Sequence, residues 1–101
     1  MIVEYTRYKI EDAKREGFEA TYKNAAVSLG NSDYCLSYEL SRCTEDRNFY
    51  VLRIVWDSEE GHLKGFRSSA EFKAFFAEVR PFVGNIEEMR HYEVFLGSEN
   101  K

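Results

Sequence analysis

His62 and His91 are the two side chains in this 101-residue chain whose ordinary pKa lies near neutrality. His62 lies in the segment WDSEEGHLKGFRSSAEFKAFF, residues 56–76, which joins an aromatic, a histidine and an arginine to a run of phenylalanines. A neutral imidazole can take the proton of a phenol or hydroquinone, the first step toward reaction with oxygen. The same residue on a short surface helix would merely be solvated. Trp56, Phe66, Phe72 and Phe76 can wall a pocket for an aromatic ring, although at helical spacing two or three phenylalanines must be core. Trp56 either packs under the helices or closes the mouth of such a pocket. Arg67 is solvated or contacts an anionic or phenolate ligand. On the last strand, His91 shares a face with Met89 and Glu93, where a His–Glu pair would orient a base or bridge an interface.

The elements that position these groups follow from periodicity. Residues 2–10 alternate β-formers with polar residues and read as a strand. Residues 11–29 read as a helix with Phe18, Tyr22, Ala25, Ala26 and Leu29 at helical spacing, acidic residues at its start and Gly30 as its stop. Residues 34–43 and 49–56 are two further strands. Asp57 with Glu60 and Ser68 with Glu71 match capping boxes, so a short helix and a longer one should begin there. Gly61 and Gly65 weaken the first by about 1 kcal/mol each against alanine. Pro81 ends or bends the second, and residues 86–96 form the final strand. The order β-α-β-β-α-β predicts a single α+β domain. Its ferredoxin-like four-stranded antiparallel sheet has both helices on one face.

Glu4 and Thr6 share one face of the first strand, Val3, Tyr5 and Arg7 the other, and the sequence leaves open which set meets the helices. A buried carboxylate there needs a partner or a raised pKa. The sheet face away from the helices mixes apolar and charged groups. Together with eight Phe and seven Tyr, more than a small core holds, that mixture predicts a homodimer.

Composition narrows the partners. The net charge is −4 with both signs interspersed, which disfavours nucleic acid. No apolar run approaches membrane-spanning length, and the charged start MIVEYTRYKI lacks a signal-peptide core, so the expected location is the cytoplasm. Cys35 and Cys43 on one strand would stand about 26 Å apart, too far for a disulfide. The histidines and cysteines show no ligand spacing, and phosphate-loop and dinucleotide fingerprints are absent. The expectation is therefore no metal and no cofactor.

The segment YELSRCTEDRNFYVLRIVWDSEEGHLKGF, the following F-x-x-FF and the final strand resemble the antibiotic-biosynthesis-monooxygenase (ABM) superfamily over nearly the whole chain. The resemblance implies a dimeric α+β barrel and a cofactor-independent monooxygenase acting on a quinol or polycyclic aromatic molecule. His62 would then be the base, and Glu4, Thr6, Trp56, Phe66, Arg67, Phe72 and Phe76 would bind substrate. Many members carry a histidine about one turn later, near Gly65 or Phe66. The haem-degrading branch resembles an Asn–Trp–His triad whose members would fall near Thr6, Gly65 and Phe75 or Phe76. None of the three stands here. HLKGFR and EEMRHY resemble domains found beside truncated globins, which implies the alternative of a non-catalytic ligand-binding module that partners a haem protein.

Overall fold

The computed structural model describes residues 2–97. β1 (Ile2–Lys9) leads through a 3₁₀ turn at Asp12–Lys14 into α1 (Arg15–Gly30). The strands β2 (Cys35–Arg42) and β3 (Phe49–Trp56) follow. Helical turns at Gly61–Gly65 and Phe66–Ser68 lead to α2 (Ala70–Val79), and a 3₁₀ segment Arg80–Asn85 delivers the chain to β4 (Ile86–Glu93). The sheet order is β2-β3-β1-β4 with every neighbouring pair antiparallel. This is the expected α+β, ferredoxin-like arrangement. Among the described residues no helix is long and apolar enough to cross a membrane.

The period of two along β1 settles which face meets the helices. Glu4, Thr6 and Tyr8 are buried, whereas Tyr5 and Arg7 are exposed. In register across the ladder, Glu4 pairs with Ile54, Thr6 with Leu52 and Tyr8 with Tyr50, so these residues share one face with the apolar side of β3. α1 covers that face with Phe18, Tyr22, Ala25 and Leu29, and Phe66 and Val79 complete the core. Trp56 is wholly buried in it. Cys35 and Cys43 are free thiols.

Several boundaries differ from the sequence reading, each for a local reason. α1 starts at Arg15 rather than residue 11, after a 3₁₀ turn in which Arg15 pairs with Asp12. Gly30 is its last residue but makes no left-handed cap, since no described residue has a positive φ. The cap of the short helix is Ser58, whose hydroxyl accepts from Gly61 N–H at 2.8 Å, rather than Asp57. The cap of α2 is Ser69, which accepts from Phe72 N–H at 3.2 Å, rather than Ser68. β4 stops at Glu93 rather than residue 96 because Glu93 stands opposite Ile2, where β1 begins and the ladder runs out of partner.

The turn Gly61–Gly65 is a π-helix, in which Phe66 N–H reaches back to the Gly61 carbonyl. It is wound against Tyr34, whose carbonyl accepts from Asp57 N–H at 3.0 Å. A Cβ at Gly65 would collide with the Tyr34 ring. Glycine is required here for close approach, beyond its cost in helix propensity. Gly65→Ala should therefore destabilise the protein by about 1–3 kcal/mol, the usual cost of overpacking. Urea unfolding that shows no loss would contradict this packing.

Candidate functional site

Glu4 is the centre of a polar cluster set into the apolar layer between sheet and helices. Its side chain leaves β1 toward the helices and is 3 % exposed. Trp56 Nε1–H, from the adjacent strand β3, donates to Glu4 Oε1 at 3.0 Å. Thr6, two residues along β1, points its hydroxyl at Glu4 Oε2 from 3.5 Å. The π-helical turn brings His62 over the end of β3. Its ring stacks on the Trp56 indole at a 4.3 Å centroid distance and a 10° interplanar angle. His62 Nε2 then lies 3.5 Å from Glu4 Oε1.

The other ring nitrogen, His62 Nδ1, lies 2.6 Å from His91 Nε2. The β1–β4 register places His91 directly opposite Glu4. The partners of His91 are thus His62 and Glu4, not the strand neighbour Glu93 that alternation suggested. The periodicity had put His91 on the correct face. It held no information about which strand β4 would pair with, and that pairing creates the cluster.

Beside the cluster is a cavity of about 290 Å³. Glu4, Thr6, Trp56, His62, Phe66, Arg67, Phe72 and Phe76, the residues singled out in the sequence, all border it. Phe66 and Trp56 form its buried wall, while Phe72 is half-buried and Phe76 and Arg67 stand at the exposed rim. The sequence did not single out Tyr8, Ile86 and Met89 as lining residues, nor Val79 and Val83. Ile86 and Met89 come from β4 and reach the cavity through its pairing with β1. A larger hollow of about 400 Å³ lies between α1 and the β2–β3 pair, with Tyr22 and Leu52 common to both. Two of its charged groups pair with each other: Glu19 accepts from Arg42 at 2.7 Å and also from the Tyr50 hydroxyl. The chemistry-bearing cluster faces the smaller cavity.

A family model described as antibiotic biosynthesis monooxygenase matches residues 1–78. The chain belongs to that family. It is 26 % identical over 93 residues to YczJ, an uncharacterized protein of Bacillus subtilis, with 92 % of this chain and 98 % of that one covered. Among solved structures it is similar to SnoaB, a cofactor-independent oxygenase from Streptomyces nogalater. That match has a TM-score of 0.77 and 15 % identity, covering 95 % of this chain and 94 % of the other. A Bordetella bronchiseptica protein superposes with a TM-score of 0.75 at 22 % identity over 94 % of this chain and 97 % of its own. At these identities the likeness speaks for the fold.

In this ABM protein the cluster is not an ion pair. Burial, His91 and Arg67 together hold the His62 imidazolium down to a pKa of about 4. Burial raises the Glu4 carboxyl, offset in part by the hydrogen bond from Trp56 and the positive field of His91 and Arg67. At neutral pH His62 is therefore an uncharged imidazole facing a carboxyl group that ionises late. Burial thus takes His62 well below the ordinary histidine value near 6.5.

The depressed His62 pKa has a signed consequence for stability. Its contribution is complete above pH 6.5 and is lost as the pH falls toward 4, because the unfolded chain binds the proton first. The full loss is on the order of 3 kcal/mol. Glu4 runs the other way: its raised pKa favours the fold at low pH and weakens it as the pH climbs from 4.5 through the folded value. Urea midpoints of wild type and His62→Gln, compared from pH 7 to 4, should converge as the wild type loses the histidine contribution. Parallel curves would show that His62 is not held neutral.

Proposed function

We propose that this protein is an oxygenase for a small electron-rich hydroxyaromatic, a quinol or anthrone-like ring, working without a bound cofactor in the cytoplasm. Membership in the ABM family supports the reaction class. The observation that carries the reading is a buried carboxyl group with a raised pKa at the polar end of an otherwise aromatic and aliphatic cavity. Glu4 rather than His62 is the better proton acceptor, because burial strengthens the carboxylate as a base and weakens the imidazole. Glu4 takes the acidic proton of the substrate, and His62 holds the carboxylate in place while linking it to His91. The resulting anion is electron-rich enough to reduce oxygen, a carbon–oxygen bond forms, and loss of water from the peroxide leaves a carbonyl. Phe66 and Phe72 hold the ring, and Arg67 at the rim attracts the developing phenolate.

Oxygen uptake with a panel of hydroquinones and anthrones tests this. Glu4→Gln should lower the rate by about 10²–10⁴, the usual contribution of a general base. The wild-type rate should rise with pH through the raised Glu4 pKa. Full activity in Glu4→Gln would refute the mechanism. Binding of the panel without any oxygen uptake would favour a non-catalytic ligand-binding module.

We further propose a homodimer through the sheet face opposite the helices. Tyr5 and Tyr92 meet edge to face there at 5.5 Å, beside Arg7, Val51 and the Arg53–Glu39 pair. An exposed aromatic pair among charges suits a partner sheet of the same composition. Light scattering should report twice the 11.9 kDa chain mass, and Val51→Glu should return the monomer. A wild-type monomer at micromolar concentration would remove the proposal.

A further inference from the structure

Three side chains from three separate elements converge at one point: Glu4 from β1, His62 from the π-helical turn and His91 from β4. Each offers a ligand atom within 4.8 Å of those of the other two. Their chemistry is that of a cation site. Two imidazoles and one carboxyl group are the donor set that holds a zinc-class divalent ion while leaving a further coordination position open. We propose that Glu4, His62 and His91 form a site for such a cation.

An ion between His62 Nδ1 and His91 Nε2 takes its third ligand from Glu4, whose carboxylate faces the other His62 nitrogen at 3.5 Å and must turn toward His91 to bind. Ligands about 2.0–2.2 Å from a tetrahedral zinc stand roughly 3.3 Å apart. His62 Nδ1 and His91 Nε2, now 2.6 Å apart, must separate by less than about 1 Å. They need no new rotamer to do so, because a cation takes the place of the shared proton between them. The carboxylate is held from behind by Trp56 Nε1–H and by Thr6. Outer hydrogen bonds of this kind fix the direction and basicity of a metal ligand. The stacking of His62 on Trp56 fixes the plane of its ring. Glu4 and His62 are buried, whereas His91 is only half-buried, so β4 offers the ion its approach from solvent. The spacing of these residues in sequence, 58 and 29 apart, resembles no ligand motif, and only the fold assembles the set.

The proposal stands apart from the oxygenase reading. A cation here would hold the groups that reading uses to take a proton, so zinc would silence the enzyme rather than serve it.

The test is direct binding to the full-length protein, stripped with chelator and then titrated with Zn²⁺ by calorimetry and with Co²⁺ by visible absorption. One ion per chain at micromolar affinity or better is expected, with Co²⁺ ligand-field bands and a rise in melting temperature with zinc concentration. His91→Ala, at a half-buried strand position, should remain folded by circular dichroism and lose about 100-fold or more in affinity. Glu4→Gln should do the same. A double variant, Cys35→Ser with Cys43→Ser, should bind as wild type, which separates this site from the free thiols. Absence of binding at 100-fold above micromolar zinc (on the order of 0.1 mM) would overturn the proposal. So would wild-type affinity in His91→Ala, or loss of binding in the cysteine variant. Because these readouts need no substrate, a failed oxygenase assay leaves them untouched, and a working oxygenase that ignores zinc would sink the cation site alone.

Discussion

A carboxyl group buried between sheet and helices is the constraint around which the rest of this molecule is arranged. Leaving Glu4 without partners in that layer would cost several kcal/mol. The fold answers with the Trp56 indole N–H, with Thr6 and with His62. Each answer carries a further requirement. Trp56 must end β3 with its ring edge toward β1, which fixes the β1–β3 register. His62 must reach the same point from the far side, which requires the helical turn after β3 to pass close over the sheet.

That requirement explains the glycines and the unusual winding. The π-helical turn lies so tightly against Tyr34 that position 65 has room for no side chain. Glycine looks unfavourable at that position when the helix is considered alone, and it is obligatory once the helix is packed. The turn is thus a local departure from helix propensity retained by tertiary contact, next to the buried cluster of Glu4 and His62. Such departures gather where positioning matters more than stability.

Much of this was legible in the chain beforehand because it is written in short periods. The alternation along β3 put Tyr50, Leu52, Ile54 and Trp56 on one face, and the structure buries all four. β3 itself runs from Phe49 to Trp56 as read. Trp56 and the phenylalanines Phe66, Phe72 and Phe76 were visible as cavity candidates for a similar reason, whereas the face of β1 that carries Glu4 and Thr6 was settled only by the fold. Their roles were harder to see. Burial and pairing are properties of the assembled sheet, so neither the neutral state of His62 nor the placement of His91 opposite Glu4 has a signal in local sequence. The helix caps moved by a single residue, Asp57 to Ser58 and Ser68 to Ser69. In each pair two capping side chains are adjacent, and only the path of the preceding chain selects between them.

The cluster and the cavity also explain one another. A pocket lined only by Phe66, Phe72, Phe76 and Met89 would take any flat apolar molecule and distinguish none. A single buried carboxyl group at its end changes that, because a ligand without a complementary donor leaves Glu4 partly unsatisfied in a site that water enters poorly. Under the proposed oxygenase reading, selectivity for a hydroxyl-bearing ring would follow from the same desolvation that raises the Glu4 pKa. The features that make the carboxyl group costly to bury also strengthen it as a base, and the chain His62–His91 connects it to the edge strand β4 at half-buried His91. Basicity, the link to the edge strand and the binding preference proposed above therefore arise from one placement, the side chain of residue 4 turned toward the helices.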